Sequence, residues 1–257
     1  METVLTGALQ STPCRRGSLT AMPGSVALNW IETLDAFEVD WSAPIVVAGM
    51  DAATLADDCA RSGSAGIASD GEDWALLASD APAEPPGSWM DLPAGTAGTV
   101  IIRRAWADRP SLSRAASAAA ALLAEGGRLF IADLDADRLL SGSPVHYPYQ
   151  LRFALDIAAA SALAATTTPP SGISLAVSRS RMRSAKGIVV DEVRGTYSDA
   201  AAYWAAVRDG AWPSLGDMRA EDREILLEKL AAELARIAPM GEVVERRPWF
   251  AATGTRA

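Results

Sequence analysis

Arg103 and Arg104, which end the run TVIIRR, and His146, in SPVHYPYQLR, are the side chains whose types and settings suit them to act on a ligand. Two adjacent guanidiniums can clamp a carboxylate or phosphate through charge-assisted hydrogen bonds, although a strand end of this kind also serves as a solvated stop paired with local acids such as Asp108. A histidine can take a proton from a hydroxyl or an amine near neutral pH. A single histidine beside two tyrosines in a proline-bounded loop equally serves packing or the surface. His146 is the only histidine, and Cys14 and Cys59 lie far apart without C-x-x-C spacing. A multi-histidine metal centre, a zinc site and a disulfide framework are therefore excluded, and no metal is expected.

The composition narrows the class further. The chain has 257 residues, a formal net charge of −9 and 49% hydrophobic residues, which suits a folded α/β protein and not a disordered one. An acidic balance argues against nucleic-acid binding, which needs a basic face to neutralise phosphates. The start METVLTGALQSTPCRR lacks the basic and apolar regions of a secretory signal. The most apolar stretch, Phe153 to Ala165, contains Asp156 and is shorter than the roughly 20 residues of a bilayer span. No membrane association is expected, and the location expected is cytoplasmic. Eight tryptophans against four tyrosines and four phenylalanines, with Trp204, Trp212 and Trp249 in the C-terminal segment, fit an oligomer interface or a core almost equally.

The elements that must position these residues follow from periodicity. A helix is expected over Ser25 to Phe37, then a buried strand over Pro44 to Gly49, a helix over Ala52 to Arg61 and a second strand within Ser62 to Ser69. GEDWALLASD reads as a short helix and SWMDLP as a third strand. Thr99 to Arg104 reads as a β-branched strand; a helix opening at Pro110 and closing at Gly126-Gly127 leads to a strand over Arg128 to Leu134. A helix over Tyr149 to Ala165, the linker TTTPPSG, and a helical piece stopped by Gly187 come next. Ile188 to Gly195 reads as a strand, a helix is capped at Ser198, Ala220 to Ile237 reads as a long amphipathic helix, and Gly241 to Gly254 closes as a strand forming a hairpin-like edge. Strands alternating with helices imply a doubly wound, mostly parallel sheet covered on both faces.

Two segments carry a family resemblance. LLAEGGRLFIADL (Leu122 to Leu134) is similar to the "LxPGGRL" helix end and fifth strand of the class I S-adenosylmethionine (SAM)-dependent methyltransferases, and WMDLPAGTAGTVIIRRAW (Trp89 to Trp106) to their third loop and fourth strand. The ending YWAAVRDGAWPSL through ERRPWFAATG resembles the tail of the small-molecule type. The resemblance implies a seven-stranded sheet whose last strand is antiparallel and inserted. It implies a single domain over residues 25–257 after an extension over 1–24, with a cap or insert around 138–172.

It also implies a cofactor site. The family's glycine-rich turn after the first strand corresponds here to Val47-Ala48-Gly49-Met50-Asp51-Ala52-Ala53, in which only Gly49 matches. The acid expected after the second strand falls near Ala68, with Asp70 two residues later, and the acid that accepts from adenine aligns with Ser88. The cofactor residues implied are thus Gly49, Asp51 and Asp70, in a degenerate SAM motif. The family builds its substrate site after the fourth and fifth strands, which here implies Arg103, Arg104, Trp106, Tyr149 and Arg152 for substrate, with His146 and Tyr147 as catalytic candidates. Trp106, Tyr203 and Trp204 can line an apolar pocket or belong to the core. Two functions follow: a non-catalytic supporting or regulatory subunit in a homo- or hetero-oligomer, or an active methyltransferase on a small molecule with a non-standard cofactor site. A dehydrogenase would need G-x-G-x-x-G where GMDAAT stands, and the serine-glycine text at Ser62 to Gly66 precedes a strand, unlike a hydrolase elbow.

Overall fold

The computed structural model describes residues 29–64, 67–69, 93–104, 109–140, 161, 165–206, 219–237 and 241–257. Six strands among them form one sheet in the order β2-β1-β3-β4-β6-β5. These are β1 (Ile45–Gly49), β2 (Ile67–Ser69), β3 (Ala97–Arg103), β4 (Leu123–Leu134), β5 (Arg183–Tyr197) and β6 (Val243–Thr255). β2, β1, β3 and β4 run parallel, and β6 is antiparallel to both of its neighbours, so β5 shares the parallel direction. The third strand expected at SWMDLP lies, but for Pro93, outside the described residues.

The helices are α1 (Trp30–Ala36), α2 (Ala52–Arg61), α3 (Arg109–Leu122), α4 (Ala136–Leu140), α5 (Pro170–Arg179), α6 (Ala200–Ala206) and α7 (Ala220–Ile237). The IVVAG strand is buried along its whole length, as a strand covered on both faces must be. On one face Trp30, Leu34, Leu55 and Leu139 cover Ile45, Val47, Ile101, Phe130 and Trp249. On the other, Leu112, Ala116, Ile173 and Val177 cover Val46, Val100, Ile102, Leu129 and Ile131. Alternate residues of the same strands supply the two cores, which is the doubly wound arrangement. A third, smaller cluster joins Tyr203 to Leu226, Leu227, Leu230, Leu234 and Val243.

Several local expectations need correction. Gly126-Gly127 does not close a helix: α3 ends at Leu122, because Leu123 already pairs with Ala97 and the glycines lie inside β4. There Gly126 N–H donates to Arg256 O at 3.2 Å and Arg256 N–H donates to Gly127 O at 2.8 Å. Nor does Gly187 stop a helix, since it lies inside β5, where an added Cβ would come within 3.0 Å of the Phe250 ring. The TTTPPSG segment is only partly a linker, as Pro170 opens α5. The cap of α6 is Asp199 and not Ser198: its Oδ1 accepts from Ala202 N–H at 2.8 Å. α1 begins at Trp30, capped by Asn29, whose side chain accepts from Glu32 N–H at 2.8 Å; residues 25–28 lie outside the described set. The terminal strand is no edge, because β6 sits between β4 and β5 and β5 takes the edge. The GEDWALLASD helix, most of the helix expected over Tyr149 to Ala165 and most of the 138–172 cap also lie outside the described residues.

The insertion of β6 leaves little room beside α5. A Cβ on Gly254 would lie 2.6 Å from Met182 Cβ and 3.1 Å from Val177 Cγ1, with no strained backbone to blame. Gly254→Ala should therefore lower the unfolding free energy by about 1–3 kcal/mol through overpacking. Urea titration measures it, and an unchanged midpoint would contradict this packing.

Candidate functional site

In a doubly wound sheet, ligands bind beyond the carboxyl ends of the strands where the strand order reverses. Here β1 is that place, with β2 on one side and β3 on the other. The β1–α2 turn supplies Gly49, with φ +96°, Met50, and Asp51, with φ +52°. Met50 N–H donates to Arg103 O at 2.7 Å, which ties the turn to the end of β3. Asp51 stands at the N-cap of α2, yet its side chain makes no capping hydrogen bond.

Its carboxylate faces three arginines instead. Asp51 Oδ2 accepts from Arg247 Nη2 at 2.7 Å and Arg194 Nη1 at 2.9 Å, and lies 3.8 Å from Arg103 Nη2. Arg103 is fully buried, at 0% exposure. Its Nη1 is 2.9 Å from Glu192 Oε1, but the N–H is not aligned for a hydrogen bond, so the contact is electrostatic. Glu192 Oε2 accepts from Arg247 and from Trp249 Nε1, the latter at 2.9 Å. Trp249 and Trp30 flank the Arg103 guanidinium, with ring centroids 4.7 Å and 5.6 Å away, and Trp249 also lies 4.7 Å from that of Arg247. Cation–π contacts of this desolvated kind contribute up to about 2 kcal/mol.

The electrostatics follow from this crowding. Burial pushes the Asp51 carboxyl up, but Arg247 and Arg194, with Arg103, outweigh it and hold Asp51 below its ordinary value. Glu192 behaves alike: burial raises it, while Arg103, Arg247 and the Trp249 N–H bring it below. Burial lowers Arg103 to about 10, despite the support of Glu192. Three guanidiniums meet two carboxylates, so the cluster keeps an excess positive charge.

Arg104, with φ +48°, turns to the opposite face of the sheet. It bonds to Thr166 Oγ1, and its Nη1 lies 3.5 Å from Oδ1 of the fully buried Asp133, on β4. Asp133 accepts from Leu134 N–H at 2.7 Å and Thr168 N–H at 2.6 Å, which anchors the chain just before α5. Burial raises the Asp133 carboxyl against the pull of Arg104 and both N–H groups.

Of the residues named from sequence, the fold brings Gly49, Asp51, Arg103 and Arg104 to one edge and pairs Asp51 with Arg103. Ala68 lies in β2 opposite Val46. Asp70, Ser88, Trp106, His146, Tyr147, Tyr149 and Arg152 lie outside the described residues. Arg103 is no solvated strand end, since it has no exposed surface. Trp249 and Tyr203 are fully buried core residues and do not form an aromatic surface. Sequence reasoning passed over Glu192, Arg194, Arg247, Trp30 and Asp133. Strand alternation was the available signal: Glu192 shares the inward parity of Val190, and Arg247 that of Trp249. Among the described residues no group of three or more His, Cys, Asp or Glu could hold a metal ion, and no helix is long and apolar enough to cross a membrane.

Removing one member of such a buried cluster strands its partners. Arg103→Ala should cost about 3–5 kcal/mol of stability in chemical unfolding, by taking away one of the two buried guanidiniums that face Glu192 and emptying the space between Trp30 and Trp249. The acid limb carries the same signature. Asp51 and Glu192, with ordinary values of 3.8 and 4.5, contribute stability that is complete above those values and is lost as pH falls through their lower folded ones. Glu192→Gln should flatten the fall in stability below about pH 4.5, and an unaltered slope would contradict the pairing.

No protein-family model matches the chain, and no curated protein does. Among solved structures, it is similar to a SAM-dependent methyltransferase from Archaeoglobus fulgidus at 12% identity, covering 87% of this chain and 91% of that one with a TM-score of 0.40. It is similar to the YcgJ protein of Bacillus subtilis at 12% identity, covering 87% and 96% with a TM-score of 0.40. Phosphoethanolamine N-methyltransferase 2 of Haemonchus contortus, solved with phosphomonomethylethanolamine and S-adenosylhomocysteine, shares 10% identity over 88% of this chain and 53% of its own, with a TM-score of 0.40. None of these likenesses speaks to activity. The strand order itself is distinctive: parallel strands wound outward from β1, and a late antiparallel strand inserted between β4 and an edge strand of the parallel direction. That order gives this chain the class I methyltransferase fold.

Proposed function

We propose that this chain is a methyltransferase-like protein with a degraded SAM site, acting as a non-catalytic supporting or regulatory subunit of an active methyltransferase or another biosynthetic enzyme. The observation that carries the reading is the engagement of Asp51. It is the one acid of the cofactor turn, and Arg247, Arg194 and Arg103 surround its carboxylate. An acid so held is not available to the amino group of a ligand. The glycines that would let a ligand approach the backbone are reduced to Gly49, and the strand β2 that should end beside a ribose-binding acid holds Ala68 and Ser69.

Charge points the same way. SAM carries a sulfonium cation, and the cluster beside the turn already has more guanidiniums than carboxylates. One uncompensated unit charge about 6 Å away opposes another by roughly 3 kcal/mol at an effective dielectric near 20, or about a hundredfold in affinity. Each lost hydrogen bond to a charged group removes about 1.5–3 kcal/mol more. The residues present do not fit the cofactor.

One observation favours the second reading, an active enzyme on a small molecule with a non-standard site. Gly49 keeps its positive φ, and the side chain of Asp51 leaves the first N–H groups of α2 uncapped. Such a helix end suits an anionic group. Isothermal titration of the full chain with SAM separates the two. The expected result is no binding up to about 1 mM, equivalent to a binding free energy weaker than about −4 kcal/mol. Micromolar binding would overturn the degraded-site reading in favour of the second.

A further inference from the structure

We infer that the chain pairs with a second copy of itself along β5, the basic corner at the start of that strand in each copy meeting the acidic face of α7 in the other. The inference does not depend on whether SAM binds.

β5 is an edge strand: among the described residues its only strand partner is β6. Around its start, Arg179, Arg181, Arg183 and Lys186 are all exposed, with no acidic residue between them in sequence. None of these four side chains makes an ion pair or a side-chain hydrogen bond among the described residues. In a chain of net charge −9 this is a concentrated positive patch. It also has an apolar spot, because Leu175 stands one turn before Arg179 on the same face of α5 and is 48% exposed.

The other end of β5 has the opposite character. Tyr197 ends the strand against the cluster that holds α6 and α7. α7 turns Leu226, Leu227, Leu230 and Leu234 into that cluster. Its outer face is bordered by the exposed Lys229 but acidic on balance: it bears Glu221, Glu224 and Glu228, all exposed, with Ile225 among them at 51% exposure. These four positions follow i, i+3, i+4, i+7 and so share one stripe. A cationic edge strand alone would read as a guard against unwanted pairing, and an acidic helix face as solvation. Here, however, each patch adjoins one of the few large exposed apolar residues among those described, and the two signs are complementary.

Distance decides how they can meet. β5 is 15 residues long, so its ends lie roughly 46 Å apart at about 3.3 Å per residue. The patches are anchored at those opposite ends and cannot neutralise each other within one chain. A two-fold axis near Val190, the middle of β5, sets two copies antiparallel and brings basic corner to acidic face at both ends at once. Such an isologous contact is closed, so it yields a dimer and not a filament.

Light scattering coupled to size exclusion on the full-length chain tests this. At about 50 mM salt the expected mass is twice 26.9 kDa, falling toward a single chain at about 1 M salt, where the screening length is roughly 3 Å. The double variants R179E/R183E and E224R/E228R should each run as monomers with the far-ultraviolet dichroism of the parent, since all four residues are exposed. Mixed in equal amounts, they should re-form the dimer, because the contact between them is attractive at both ends. A parent chain monomeric at low salt, a dimer that survives both reversals, or a mixture that stays monomeric would each overturn the inference.

Discussion

A guanidinium with no exposed surface organises the carboxyl edge of this sheet. Leaving Arg103 charged and dry is unfavourable by several kcal/mol unless carboxylates and polarisable rings surround it. The surroundings come from far apart in the chain: Glu192 from the edge strand β5, Trp249 from β6, Trp30 from α1 and Asp51 from the β1–α2 turn. The position of β6 makes this possible. Running antiparallel between β4 and β5, it places Arg247 opposite Glu192 and Trp249 opposite Leu134 and Val190. The charged ends of the central and edge strands thereby become one unit, and α1 is held over it by Trp30.

How far the sequence foretells this depends on whether the deciding contact is local. IVVAG, TVIIRR and RLFIADL announce buried parallel strands through β-branched and apolar content alone, and the structure has all three. Glycines mislead where a neighbour distant in sequence decides. Gly187 reads as a stop until Phe250 is seen lying over it, and Gly126-Gly127 reads as a cap until Arg256 is found paired beside it. Arg103 reads as an anion clamp or a solvated end, because the acid that meets it, Glu192, comes 89 positions later. Trp249 reads as interface or core almost equally for the same reason: its burial depends on Trp30 and on register with β4.

A methyltransferase fold needs little acid–base machinery, because the sulfonium donor is already activated and alignment does most of the work. Holding the cofactor is therefore the demanding part, and on the proposed reading it is the part that is altered here. An ionic cluster is not required for stability as such, since well-packed apolar residues often serve equally well. What it does supply is fixed orientation at low reorganisation. A turn whose acid is clasped by arginines from β5 and β6 is kept in one geometry without a ligand, which suits the proposed supporting role.

The two buried carboxylate sites respond to protons in opposite senses. Asp51 and Glu192 are held below their ordinary values, so their contribution is lost on acidification. Burial holds Asp133 above 3.8, so its contribution is complete below that value and is lost as pH rises through the higher folded one. Acid should thus loosen the face that joins the β1–α2 turn to β5 and β6 while the Asp133 anchor to Thr168 persists. The reason is solvation: three guanidiniums serve Asp51 and Glu192, whereas Asp133 has Arg104 at 3.5 Å, two backbone N–H groups and the Thr168 side chain against complete burial. In hydrogen exchange below about pH 4, amides of the β1–α2 turn should lose protection before Thr168, and the reverse order would mean that Arg104 outweighs the burial of Asp133.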